Sequence, residues 1–261
     1  MASARPATPA FVHVAAHPVR WRLLTELAAS DHRVRELVEL VGQPQNLVSY
    51  HLRLLRGAGL VSSRRSSFDA RDSYYHLDLD RCATALTGTG AALHPALRVD
   101  PPAPPTRAAL RRRPCRVLFA CTGNSSRSPM AEALLRHRTR GTVRVTSAGS
   151  IPKDRLHPDA VRVLRDDHGI DVRGRRPRRL DSVATHRFDY VVTLCDKVRE
   201  VCPEFPDHPR LLHWSIPDPA ADAAGYAAFR RAAADIDTRI GHLLHLIGHT
   251  DDMEVHRDRA R

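Results

Sequence analysis

Along the first hundred positions, apolar residues recur at the spacing of short helices. Trp21, Leu23, Leu24 and Leu27 predict one amphipathic helix. Val34, Leu37, Val38 and Val41 predict a second, stopped by Gly42 and Pro44. Val48, Leu52 and Leu55 fall at i, i+4 and i+7 of a third, which ends at Gly57–Gly59. The period then changes. Residues 60–66 and 73–79 read as strands flanking a polar turn, Ser67 to Asp72, and a last helix is predicted from near Asp80 towards Leu93, across Gly88 and Gly90. Prolines and the run Arg111 to Arg113 crowd the stretch from Val99 to Pro114. Proline at that density opposes helix and central strand alike, so a semi-rigid linker is expected over 99–113, joining a domain of residues 1–98 to a second one. In the second domain, Cys115 to Ala120 is a short apolar strand, and a helix with Pro129 in its first turn follows. This α/β pattern runs to about Gly248, leaving a polar tail over 249–261.

Two short helices with a tight turn, then a basic hairpin, make a winged helix-turn-helix. The polar face of the third helix carries Gln45, Asn46, Ser49, Tyr50 and Arg53, types that hydrogen-bond base edges or phosphates in a major groove. The hairpin adds Arg64, Arg65 and Arg71, suited to phosphate or minor-groove contacts. The formal net charge of +12 points the same way only in part, because Lys153 and Lys197 are the only lysines and so arginine-rich a chain can reflect codon usage. The phrases HPVRWRLLTEL, NLVSYHLRLLRGAGLV and SSRRSSFDARDSYYHLDL resemble the ArsR/SmtB family of winged-helix repressors over roughly residues 10–95. The resemblance implies double-stranded DNA as partner, an inverted-repeat operator, and homodimerisation through the first and last helices. Many arsenic-sensing members carry a cysteine pair where this chain has Asp31 to Leu40, which holds none. Asp80, Cys82 and His94 match a transition-metal site only partially, and no bound metal is expected.

After the 115–120 strand comes Cys121-Thr122-Gly123-Asn124-Ser125-Ser126-Arg127-Ser128. A C-x5-R loop between a strand and a helix N-terminus aims successive backbone N–H groups at one point, and the helix dipole adds positive potential there. A tetrahedral oxyanion fits that cradle, with Arg127 clamping two of its oxygens. The same field favours a thiolate, which makes Cys121 the candidate nucleophile. Ser128 can donate to the sulfur, and Asn124 can hold the loop in a left-handed backbone turn.

The phrase VLFACTGNSSRSPMAEALL, with VTSAGS, FDYVVTLCD and LLHWSIPDPA following in order, resembles the low-molecular-weight tyrosine phosphatases and the arsenate reductases that share their fold. The resemblance spans about 114–247. It implies a mostly parallel four-stranded sheet with helices on both faces, the cysteine loop at the strand carboxyl ends, and Asp218, before Pro219, as general acid. Cys195 and Cys202 resemble, in position and spacing, the redox pair of thioredoxin-coupled arsenate reductases. The implied relay starts with Cys121 attacking arsenate; Cys195 then attacks Cys121, and Cys202 attacks Cys195. An external thiol reductant such as thioredoxin closes the cycle. Some relatives bind potassium beside the loop; Asn124, Glu132 and Ser147 match that site, but its remaining acidic position falls on Arg178.

The expected protein is thus a cytoplasmic fusion of DNA-binding regulator and arsenate reductase, with no bound cofactor and no membrane segment. Two rivals remain open: a regulator whose loop senses an oxyanion without turnover, and a phosphatase tethered to DNA.

Overall fold

A computed structural model describes residues 8–99, 102–112 and 115–248. The chain divides between Ala103 and Pro104 into two compact units. The first consists of α1 (Ala10–Ala15), α2 (Pro18–Ala29), β1 (His32–Arg33), α3 (Val34–Val41), α4 (Gln45–Gly57), β2 (Val61–Arg65), β3 (Ser73–Leu77) and α5 (Leu79–Leu93). Local chemistry sets the boundaries. His17 accepts from the Val19 N–H at the start of α2, where Pro18 occupies the first helical position. The Glu36 side chain reaches back to the Arg33 N–H at 2.8 Å, closing the entry to α3. Gly42, at φ 64°, takes the left-handed turn that ends α3 and lets Pro44 start α4.

Leu23, Leu24 and Leu27 of α2, Leu37 and Val41 of α3, and Val48, Leu52 and Leu55 of α4 form one core with Leu60, Val61 and Leu77. Each fully buried side chain of this kind contributes about 1.5–3 kcal/mol. Trp21, expected on the buried stripe, is 57% exposed instead; α2 buries the face of Leu23, Leu24 and Leu27, and Trp21 lies outside it. The wing is also more than a hairpin. β1 pairs antiparallel with β3, His32 opposite Tyr75, giving a three-stranded sheet in the order β1-β3-β2. A two-residue strand has no periodicity to read, so only its partner reveals it.

The second unit contains α6 (Arg107–Arg112), β4 (Arg116–Cys121), α7 (Arg127–Thr139), β5 (Arg144–Gly149), α8 (Pro158–His168), β6 (Tyr190–Thr193), α9 (Asp196–Glu200), β7 (Arg210–His213) and α10 (Tyr226–Gly248). The helix α6 corrects the expectation of a helix-free linker over 99–113. No proline lies between Pro105 and Pro114, and Leu110 is buried in the core of the second unit. The polar tail expected over 249–261 lies outside the described residues.

The sheet order is β5-β4-β6-β7, with every neighbouring pair parallel. β4 runs through α7 to β5 on one side; the chain then returns through α8 to β6 on the other side of β4. Connections therefore leave in opposite directions between β4 and β6, and an open parallel sheet places its ligand crevice at the carboxyl ends of such a pair. Cys121 closes β4, and Cys195 follows β6 by two residues. α7 is buried along most of its length because β4, β5, α8 and α10 all pack against it.

Candidate active site

Cys121 is 2% exposed at the end of β4, and the loop that follows curls onto the N-terminus of α7. Asn124 holds a positive φ of 43°, which an asparagine tolerates better than most side chains. Gly149, at the end of β5, makes room for this curl. A Cβ there would meet the Thr122 carbonyl oxygen at 2.6 Å and the Asn124 nitrogen at 2.8 Å.

Hydrogen bonds fix the direction of each donor. The Arg178 N–H donates to Asn124 Oδ1 at 2.8 Å, so the Asn124 amide nitrogen faces the other way. It donates to Ser128 Oγ at 2.8 Å and to Ser147 Oγ at 3.0 Å. Ser128 is then free to turn its own proton towards Cys121 Sγ, 3.0 Å away. Ser147 donates to Glu132 Oε2 at 2.6 Å. Burial pushes the Cys121 thiol up, and Cys195 adds to this; the Arg127 charge and the Ser128 hydroxyl and N–H pull it down. The α7 N-terminus acts in the same downward direction.

Arg127 reaches across the loop. Its Nη1 donates to the Ile216 carbonyl at 3.1 Å and its Nη2 stands 3.2 Å from Asp218 Oδ2. Its Nε is buried without a hydrogen-bond partner among the described residues, a donor available to an oxyanion in the cradle. Asp218 is exposed at the mouth and accepts from the Ala220 N–H, an Asx turn that fixes the carboxyl over the loop. Thr122, Gly123 and Ser125 are half-buried, and Ser126 is buried at the cap of α7.

Cys195 is buried, with its Sγ 3.2 Å from Thr122 Oγ1, on the residue next to Cys121. Cys202 lies two residues past α9, partly buried against the same core, and burial raises its thiol to about 11. Between them Asp196, a charged residue at the start of α9, is only 3% exposed. It accepts from Ser215 Oγ at 2.6 Å and lies 3.1 Å from His213 Nε2, while His213 Nδ1 lies 2.8 Å from Thr193 Oγ1. These partners sit on and just after β7, and no local sequence signal announces them. The fifth cysteine, Cys115, lies in the core, where burial and Asp189 raise its thiol to about 12.

In the first unit, Gln45, Asn46, Tyr50 and Arg53 are exposed on one side of α4 and Ser49 is half-buried, while His51 and Leu52 point into the protein. Arg64 and Arg65 lie on β2. Arg65 donates to the Ala70 carbonyl across the wing turn, and Arg71 pairs with Asp69 at 3.2 Å, holding that carboxyl below its usual range. Any other acceptor for Arg71 therefore competes with Asp69.

Residues 116–258 match the family model of the low molecular weight phosphotyrosine protein phosphatases. The chain belongs to that family. Residues 17–63 match the bacterial regulatory protein arsR family model, so the helix-turn-helix of the first unit is of that type. Among curated relatives, an arsenate reductase of Brevibacillus brevis is 37% identical over 48% of this chain and 90% of its own length. One of Bacillus subtilis is 35% identical over 48% of this chain and 91% of its own. Among solved structures, an arsenate reductase from Archaeoglobus fulgidus is 32% identical, covering 49% of this chain and 98% of that one, with a TM-score of 0.42.

In this family member, sequence reading found Arg178 beside Glu132 but not Arg136 or Arg175. Arg136 and Arg175 both bind Glu132 Oε1, at 2.6 and 2.9 Å, and Arg178 stands 3.9 Å from it. The potassium that some relatives hold beside the loop does not fit here. It would share a carboxylate oxygen with three guanidinium groups, and Asn124 Oδ1 and Ser147 Oγ are already engaged.

Proposed function

We propose that the chain is a bifunctional cytoplasmic protein in which an ArsR-type DNA-binding domain is joined to an arsenate reductase domain. The observation that carries the reductase reading is the position of Cys195, whose sulfur lies 3.2 Å from the Thr122 hydroxyl beside the nucleophile. A phosphatase clears its phosphocysteine with water and needs no such thiol; a reductase must pass two electrons to arsenic.

In the proposed cycle Cys121 Sγ displaces an arsenate oxygen, which leaves as water after protonation by Asp218, while Arg127 and the loop N–H groups hold the remaining oxygens. Cys195 Sγ attacks Cys121 Sγ. The sulfur–arsenic electron pair stays with arsenic, which leaves as arsenite, and a Cys121–Cys195 disulfide forms. Cys202 attacks Cys195, releasing Cys121, and an external dithiol of the thioredoxin type reduces the Cys195–Cys202 disulfide. Gln45, Asn46, Ser49, Tyr50 and Arg53 are the proposed groove-reading residues, and Arg64, Arg65 and Arg71 the phosphate contacts. The operator is an inverted repeat bound by a homodimer. An α5 with no fully buried side chain, exposing Leu86 and Leu93, supports a second copy packing there.

Steady-state assays with arsenate plus thioredoxin, and with an aryl phosphate, test this. Arsenate-dependent oxidation of thioredoxin that disappears in Cys121→Ser is the expected result. Aryl phosphate turnover without arsenate reduction would establish the phosphatase instead.

A further inference from the structure

We infer that Arg175, braced by Arg136, is a built-in cation that positions the cysteine loop, so that Cys121 works without a bound alkali ion. Glu132 is the starting point. Its side chain is 4% exposed on the buried α7, where an ionised carboxylate is stable only if its charge is compensated and its oxygens are hydrogen-bonded. Oε1 receives Arg136 and Arg175; Oε2 receives Ser147.

The carboxylate accepts only, and this fixes the sense of every bond beyond it. Ser147 must donate to Glu132, so its oxygen is left to accept from Asn124. Asn124 then presents its amide N–H groups to Ser147 and Ser128, and the Ser128 proton is directed at Cys121. A continuous chain of hydrogen bonds thus links the Arg175 guanidinium to the nucleophile's sulfur. Arg178 serves the same loop by a second route, since its backbone N–H holds Asn124 Oδ1. Arg175 acts on the reacting sulfur only through this chain; it is a positioning residue. The two guanidiniums are reachable from outside, because they line an open pocket of about 380 Å³ with His137, Arg140, Ile170 and Asp171. A small cation can therefore enter if one of them is removed.

The inference rests on Cys121 being the nucleophile of the proposed function. The test reads the thiol as well as turnover, so the two can fail separately. The rate of iodoacetamide labelling of Cys121 is followed against pH in the full chain, in potassium chloride and in choline chloride. Wild-type profiles should coincide in the two salts. Arg175→Ala should shift the profile upward and slow labelling near neutral pH by about threefold, as a shift of about half a pKa unit requires. About 10 mM guanidinium chloride, far below its denaturing range, should restore the profile, and Arg175→Lys should largely retain it. The arsenate kcat should fall in parallel while KM changes little. A wild-type profile or kcat that responds several-fold to potassium over choline overturns the inference without any variant. So does an Arg175→Ala protein that folds and labels like wild type in choline. If the labelling shifts and rescue appear but no arsenate is reduced by any form, the positioning role stands and the reductase reading falls.

Discussion

Arg127 and Asp218 meet at the mouth of the cysteine loop, with the guanidinium Nη2 3.2 Å from the carboxylate Oδ2. The arginine is buried and the aspartate exposed, so the pair is a latch between the floor of the cradle and its rim. In the proposed reaction, an oxyanion entering the loop competes with Asp218 for the same guanidinium, and the displaced carboxyl is left beside the oxygen that must depart.

Asp218→Asn therefore has opposite effects on binding and on chemistry. It removes the charge that competes for Arg127, so inhibition by inorganic phosphate is retained or tightened. It removes the proton donor, so kcat for arsenate falls by about 10²–10³. Inhibition constants and kcat measured on the same preparation check this; weakened phosphate inhibition with an unchanged kcat would make Asp218 a binding residue only.

In the proposed relay, disulfide exchange must reshape α9. Cys195 and Cys202 bracket this helix, and seven residues at helical rise span about 10 Å, beyond the ~7 Å Cα separation a disulfide tolerates. Asp196 is bolted to Ser215 and His213, whereas Lys197 and Glu200 are exposed. The helix should open from its C-terminal end. Amides from about Val198 to Glu204 should exchange faster in the oxidised protein, with Asp196 little changed. Cys202→Ser should accumulate a Cys121–Cys195 disulfide after one turnover, visible by peptide mass mapping. Repeated turnover at the wild-type rate by that variant would remove Cys202 from the mechanism.

The raised thiol of Cys202 gives the proposed relay a pH signature. With burial lifting it to about 11, the reactive thiolate fraction in the closed protein is small at neutral pH and grows tenfold per unit until that value is approached. Labelling of Cys202 in the reduced, oxyanion-free chain should follow this rise between pH 7 and 10. After Cys121–Cys195 forms and α9 opens, burial is relieved, and labelling at pH 7 should accelerate. Equal rates in both states would mean that the helix does not open.

DNA affinity should separate by residue type. Arg64→Ala should weaken binding to all sequences alike and reduce the salt slope by about one, as loss of a phosphate contact does. Substitutions at Gln45 and Ser49 should alter preference between sequences, while Arg71→Ala should cost little because Asp69 already holds Arg71. Gel shifts across a salt series read all three; identical preferences in the Gln45 and Ser49 variants would place base reading elsewhere.

What the sequence determined by itself was local. Helix periods, the Gly42 stop and the C-x5-R loop before Pro129 depend on neighbours a few residues apart, and local steric and hydrogen-bonding rules act at that range. The resemblance of whole phrases supplied the roles proposed for Asp218, Cys195 and Cys202. Tertiary structure alone decided which distant residues meet. Sheet order puts β6 beside β4, so Cys195 lies next to Thr122 although 73 residues separate them. Chain return brings Arg175 onto Glu132 and Arg178 onto Asn124. Packing buries Asp196 under His213 and Ser215, exposes Trp21, and seats Leu110 in a core that its proline-rich neighbourhood gave no reason to expect. Each outcome depends on the competition for buried space and charge compensation among groups far apart along the chain, and no window of sequence contains both partners.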